Sequence, residues 1–218
     1  MGEFIFNRIK EYLLILLKGL IGIIYPREPF CILCRKNETD NVVCSTCMDK
    51  IQKCSKDDIA YGYYKGELKM MIFKFKYEKD FNVAEILVEF LLQKINIDRY
   101  QGFYITYIPI TKESYKKREF NQCEYIAKEL ERQTGNKVIN CLETVRRTRI
   151  QKELSKEERI KNMKEVFVVK NINLVYKQKI ILIDDVMTTG ATINDAKRAI
   201  IEAGALEVKQ LVLARAEI

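Results

Sequence analysis

The sequence predicts an α/β protein, a mostly parallel sheet with helices on both faces, preceded by a small domain built around four cysteines. Three observations predict it. After residue 100, strand-like and helix-like stretches alternate, the order that βαβ units impose. The strongest of those strands, Ile180 to Ile183, is apolar at every position, as a strand buried on both faces must be. Four of the seven cysteines, Cys31, Cys34, Cys44 and Cys47, fall within seventeen residues as two CxxC pairs.

In chain order, residues 1–27 read as an amphipathic helix. Its apolar centre, Leu13 to Leu17, is broken by Lys18, Gly19 and Gly22, and falls short of the ~20 uninterrupted apolar residues of a membrane span. Such a helix docks on its own domain, on a partner or at a membrane interface. Residues 28–56 hold the cysteines, and residues 57–218 form the α/β domain. Within it, Asp57 to Tyr64 reads as a strand, and Lys65 to Glu78 and Phe81 to Ile95 as helices, the second with Leu87, Leu91 and Ile95 at helical spacing. Phe103 to Ile110 is β-rich and runs into a loop at Pro109. Phe120 to Gln133 is an amphipathic helix stopped near Gly135. Lys137 to Leu142 and Val166 to Val169 are short strands around the charge-dense stretch Thr144 to Asn162. Lys179 to Ile183 is a strand ended by two aspartates, Ala191 to Ala203 a helix, and Leu206 to Ala214 the last strand.

Composition excludes much chemistry. The 218 residues contain no histidine, which removes Ser-His-Asp and Cys-His hydrolysis and HExxH metal sites. No GxxxxGK[ST] or GxGxxG occurs. The formal charge of +8, from 38 basic and 30 acidic residues, favours anionic partners. An odd number of cysteines with no export signal points to the cytoplasm.

Each CxxC turn directs two sulfurs at one ion, and the nine residues between Cys34 and Cys44 let the second turn face the first. Four thiolates suit tetrahedral zinc, with iron as the alternative at this spacing, and leave no open position for catalysis. The metal is structural on this reading, and supplies most of the folding free energy of a segment with almost no core.

The most informative stretch runs from Ile180 to Thr192. Ligands of parallel sheets bind beyond the carboxyl ends of the strands, where this chain places Asp184 and Asp185. Thr188-Thr189-Gly190-Ala191-Thr192 then opens a helix. Its backbone N–H groups, the helix dipole and the hydroxyls make a cradle for a phosphate dianion, and Gly190 permits a close backbone approach. Carboxylates beside such a cradle serve as acceptors for sugar hydroxyls. The ligand this implies is a ribose 5-phosphate.

Residues 180–192 resemble the 5-phosphoribosyl-1-pyrophosphate (PRPP) loop of type I phosphoribosyltransferases. The whole chain resembles the ComF family of DNA-uptake competence proteins, in which a four-cysteine zinc finger precedes such a domain. Tyr64-Lys-Gly-Glu-Leu with Ile72-Phe-Lys-Phe-Lys, Arg118-Glu-Phe-Asn-Gln122, and the run containing Arg146, Thr148, Gln151, Leu154, Ser155, Arg159 and Asn162 support the narrower match. One position departs: Glu119 stands where the family has glycine. The resemblance implies that Asp184 and Asp185 hold the ribose hydroxyls and that Thr188, Thr189, Gly190, Ala191 and Thr192 hold the 5-phosphate. It makes Thr111, Lys112 and Arg118 candidate pyrophosphate contacts, with magnesium offsetting the charge. It also implies competence-type uptake of single-stranded DNA, with a helicase-type competence protein as partner at the inner face of the cytoplasmic membrane. Transfer of phosphoribose to a base in nucleotide salvage is the alternative, and no catalytic residue is identified.

Candidate DNA contacts are Lys74, Lys76, Arg146, Arg147 and Arg149. The first two sit in a lysine-rich run with Phe73, Phe75 and Tyr77 interleaved, a pattern that serves base stacking beside phosphate-binding cations, or equally an apolar core with lysines outside. The arginines serve DNA phosphates, pyrophosphate, or both in competition.

Overall fold

The computed structural model describes residues 29–95, 97–144 and 167–217. The chain divides into two compact units, 1–45 and 46–218. The expected helix over residues 1–27 lies outside the described residues, as do Arg146, Arg147 and Arg149.

In the first unit a tight turn follows Cys31, where the Arg35 N–H donates to Cys31 O at 2.8 Å and Arg35 takes the left-handed conformation. A bridge between Phe30 and Glu38 folds the loop back. Helix α1, Ser45–Asp49, follows at the boundary.

The second unit carries a four-stranded sheet. Strand β1 is Ala60–Tyr63. Helix α2, Gly66–Phe73, runs directly into a π-helical turn, Lys74–Glu78, which ends at Lys79 in the left-handed conformation. Helix α3, Phe81–Lys94, starts at Asp80, whose carboxylate accepts the N–H groups of Asn82 and Val83. Strand β2 is Tyr104–Tyr107, helix α4 Lys112–Arg118 and helix α5 Gln122–Thr134. The antiparallel pair β3, Leu142–Thr144, and β4, Phe167–Val169, stands apart as a second sheet. Strand β5, Lys179–Met187, helix α6, Ala191–Glu202, and strand β6, Glu207–Arg215, complete the chain.

Strand order is β1-β6-β5-β2, parallel throughout, with Ile180 opposite both Tyr104 and Val208. Successive side chains of a strand point to opposite faces. Ile180 and Leu182 join Val208 and Val212 in a core completed by Ile193, Ala196 and Ile200 of α6. Helices α3 and α5 pack against β6, β5 and β2. This is the phosphoribosyltransferase-type arrangement expected, a parallel sheet with helices on its faces.

Details differ for physical reasons. Strand β5 runs through the aspartates to Met187, because β6 pairs with it as far as Arg215 and so continues the ladder past the apolar residues. The segment after Pro109, expected as loop, forms α4 because the Thr111 hydroxyl caps it by accepting the Ser114 N–H at 3.1 Å. Of the strand expected over Lys137 to Leu142, only a bridge from Val138 to Ile105 and the start of β3 form. The helix expected over Lys65 to Glu78 changes pitch at Lys74.

Candidate phosphoribosyl site and cysteine cluster

The end of β5 brings Asp184 and Asp185 to the junction with the start of α5. Asn121 fixes that junction. Its amide donates to Ile108 O at 3.1 Å, just past β2, while its Oδ1 accepts the Cys123 N–H at 2.9 Å as the α5 cap. The cap aims the first residues of α5 at the acids: Gln122 Nε2 donates to Asp185 Oδ2 at 2.5 Å, and the Cys123 thiol lies 3.9 Å from Asp184 Oδ1. The Asp185 N–H donates to Asp184 Oδ1 at 2.8 Å.

Lys76 completes the cluster from the π-helical turn, its ammonium 2.9 Å from Asp185 Oδ2. A π turn widens the helix by a residue, and here both Phe75 and Lys76 face inward. Phe75 is core, packed with Phe81, Phe120 and Tyr125, whereas Phe73 and Tyr77 are exposed and lie ring against ring at 5.0 Å. Lys76 is 9% exposed, Asp184 8% and Asp185 6%. Two buried carboxylates thus share one ammonium, and the second is held neutral more easily than charged. Burial, then the charge of Asp185, pushes Asp184 up to about 7. Burial, then the same two acids, raises the Cys123 thiol well above its usual range.

The folded state therefore retains a proton on Asp184 between its unfolded value of 3.8 and about 7. Over that window the folded state binds more protons than the unfolded one, so this group's contribution to stability falls as pH rises and levels off above the upper value. The Asp184→Asn variant should accordingly gain stability over wild type as pH goes from acid to neutral, read from urea midpoints. A stability difference constant across that range would refute the assignment.

Gly190 caps α6 in the left-handed conformation, φ 78°, and is buried, while Thr188, Thr189, Ala191 and Thr192 are exposed. A Cβ on Gly190 would meet Asn194 Nδ2 at 3.3 Å. The Thr189 hydroxyl accepts the Ala191 N–H at 3.4 Å. First-turn amides of a helix have no intrahelical acceptor, so this loop presents donors and hydroxyls beyond the end of β5, next to the acids.

Thr111 and Lys112 are exposed at the start of α4. Arg118, at its other end, donates to Gln122 Oε1 at 3.0 Å and to the Tyr77 hydroxyl at 3.2 Å, which joins the π turn, α4 and Asp185 in one network. Its Nε is buried and has no hydrogen-bond partner among the described residues. Glu119 caps α4 with φ 65°, a conformation in which glycine is cheapest, and its carboxylate pairs with Lys79. Lys74 is bound to Glu78 at 2.7 Å. A groove of about 640 Å³ opens beside Ile110 and Lys112, lined also by Tyr107, Glu124 and Leu142. Burial, followed by the charge of Glu124 and a hydrogen bond to it, pushes the Tyr107 hydroxyl up to about 12.

The site therefore includes residues that the sequence pattern does not assign to it. Gln122 lies within the motif Arg118–Gln122 but carries no signal of its own. Cys123 reads as a core or surface thiol. Lys76 reads as a candidate DNA contact in a basic run.

Cys31, Cys34, Cys44 and Cys47 bring their sulfurs within 4.8 Å of one another, and none of the four is in a disulfide. Cys34 and Cys44 Sγ are 3.9 Å apart, near the ~3.8 Å edge of a tetrahedron with ~2.3 Å metal–sulfur bonds. The Cys44 N–H donates to Cys31 Sγ at 3.3 Å, and Asn37 Nδ2 to Cys44 Sγ at 3.4 Å, contacts that favour thiolates. The group could hold a metal ion.

The fold is of the phosphoribosyltransferase type. Residues 121–217 match the family model described as the phosphoribosyl transferase domain. Over most of its length the chain is also similar to three competence proteins. It is 28% identical over 193 residues to Competence protein ComFC of Streptococcus pneumoniae, covering 86% of this chain and 81% of that one. It is 29% identical over 198 residues to Competence protein ComFC of Bacillus subtilis, covering 85% and 77%. It is 25% identical over 211 residues to Competence protein F of Haemophilus influenzae, covering 87% and 92%. The resemblance to the ComF family is thereby borne out. Among solved structures, the glutamine PRPP amidotransferase of B. subtilis aligns at 18% identity and a TM-score of 0.46, over 64% of this chain and 30% of that one. Among the described residues, no helix is long and apolar enough to cross a membrane.

Proposed function

We propose that this chain is a competence-type DNA-uptake protein that binds PRPP with magnesium at Asp184, Asp185 and the Thr188–Thr192 loop. The observation that carries the reading is a buried acid pair ending a parallel strand and running into a hydroxyl-rich helix start, in a chain similar to ComFC proteins over most of its length. The acids accept the ribose hydroxyls, the loop amides and threonine hydroxyls take the 5-phosphate, and Thr111, Lys112 and the uncommitted Nε of Arg118 face the pyrophosphate. Lys76 and Gln122 hold Asp185, so the diol enters as Lys76 gives way or turns to the ligand's phosphates.

Zinc at the four cysteines, a cytoplasmic location that extends to the inner face of the membrane, a helicase-type partner there, and single-stranded DNA as ligand complete the proposal. Lys74, Arg146, Arg147 and Arg149 keep their proposed role as DNA contacts, and Lys76 acts at the acid pair instead. A second reading, transfer of phosphoribose to a base, is favoured by the groove beside Ile110 and Lys112, which has room for an acceptor.

Titration calorimetry with PRPP and magnesium tests the reading. Wild type should bind, and Asp184→Ala with Asp185→Ala should reduce affinity by at least about 100-fold, from the loss of two charge-assisted hydrogen bonds worth ~1.5–3 kcal/mol each, with metal content unchanged. Equal binding by both proteins overturns it. Pyrophosphate release on adding a panel of bases would select the second reading.

A further inference from the structure

A groove of about 480 Å³ lies along the first half of β6, away from the acid pair. It is walled by Lys56, Lys94, Arg99, Lys197 and Lys209, which come from the segment before β1, the end of α3 and the turn after it, α6 and β6, with the Tyr100 ring and the Ile95 surface between them. On β5, Ile181 of the groove lies three residues, or roughly 10 Å, before Asp184 and seven residues, or roughly 23 Å, before Thr188, and neither the acids nor the loop lines the groove. The groove is therefore no extension of the phosphoribosyl site.

Its charge is only partly compensated. Of its two acids, Asp57 and Asp58, the second is already engaged. Asp58 accepts the Ala60 N–H at 2.9 Å and the Arg215 guanidinium at 2.7 Å. Lys94 is held in place by carbonyl oxygens, Ser55 O at 2.8 Å and Lys56 O at 3.3 Å, which orient the ammonium without cancelling its charge. Among the described residues Lys56 and Lys197 have no carboxylate partner, and Lys209 has only Glu207, at 3.2 Å. The sheet edge is open here too. Strand β1 pairs with β6 only from Val212 onward, so among the described residues Glu207–Leu211 has no neighbouring strand on that side.

We propose that this groove is a binding site for single-stranded nucleic acid, a surface distinct from the candidate DNA contacts Lys74, Arg146, Arg147 and Arg149. The inference rests on the DNA-binding reading above and adds to it where the strand lies. Cations from separate chain segments suit a run of phosphates better than one compact anion, which would want convergent donors. The Tyr100 ring, the Ile95 surface and the unpaired backbone edge of β6 can meet exposed bases, which a duplex would keep inside its stack. Electrostatic attraction to the phosphates supplies most of the affinity.

The test is fluorescence anisotropy of a labelled oligothymidylate at several salt concentrations with the full chain. Lys197→Gln with Lys209→Gln should weaken binding by about tenfold or more and reduce the slope of log affinity against log salt by about 1.4, at ~0.7 for each phosphate no longer neutralised. Lys56→Gln, in an exposed loop, should lower the slope by about half as much. Lys128→Gln, on the exposed face of α5, is the control and should leave the slope unchanged. Thermal transitions and metal content matching wild type show that the variants are folded. If wild type binds and the groove variants bind alike with the same slope, the groove is overturned and the DNA reading stands. If wild type fails to bind the oligonucleotide, both fall.

Discussion

Lys76→Met should lower the unfolding free energy by about 3–5 kcal/mol at pH 8, the cost of leaving a buried carboxylate without its cation. The ammonium lies 2.9 Å from Asp185 Oδ2, both residues are more than nine-tenths buried, and a second acid sits one residue away. Methionine keeps the length of the side chain, so packing changes little and the charge change dominates. The loss should shrink as pH falls, because the acids can then take up protons and the uncompensated charge disappears. Adding Asp185→Asn to Lys76→Met should recover part of the loss, since it removes the carboxylate that lies against the ammonium and leaves Asp184 as the one acid of the buried pair. Urea unfolding of wild type and the two variants measures this. A change within about 0.5 kcal/mol, the range of ordinary surface substitutions, would show that Lys76 is solvated and the pair is not formed.

The other large effect is metal removal. One equivalent of zinc per chain is expected by elemental analysis, and Cys44→Ser should lose most of it. Structural zinc contributes roughly 10–16 kcal/mol of apparent binding free energy in small four-ligand sites at neutral pH. Among the described residues, the segment from Phe30 to Asp49 has little else to hold it: a single bridge, a few turn hydrogen bonds and a five-residue helix. A strong chelator should therefore expose this segment to protease while the sheet domain keeps its own unfolding transition, because its core of β5, β6 and α6 draws nothing from the cysteines of the cluster. Proteolysis of metal-loaded and chelated protein at the same rate would remove the metal from the account. Iron in place of zinc would show as colour and as a different elemental result.

The proposed phosphoribosyl site and the proposed groove bear on each other through their placement. One lies past the carboxyl ends of β5 and β2, the other along the amino-terminal half of β6. A sugar phosphate and a DNA strand can thus be held by the same sheet without sharing residues, and the pentose site is free to modulate DNA binding through β5 and β6, which are paired along almost their whole length.

Much of this was legible in the residues themselves. A run of four apolar residues ending in paired acids and hydroxyls identifies a buried strand and the loop after it, because burial and turn chemistry are local properties. CxxC spacing identifies a ligand set for the same reason: four sulfurs within seventeen residues can reach one ion whatever the rest of the chain does. Tertiary structure alone decided that Lys76 lies in the interior. Its neighbours are as basic and aromatic as those of an exposed nucleic-acid contact, and only the π turn, together with an acid pair far along the chain, turns it inward. Gln122 reaches Asp185 across 63 positions, and the open edge of β6 follows from where β1 begins to pair. Such contacts depend on strand order and helix register, which no local pattern encodes, so the sequence determined the chemistry available at the end of β5 and the fold determined which side chains close it.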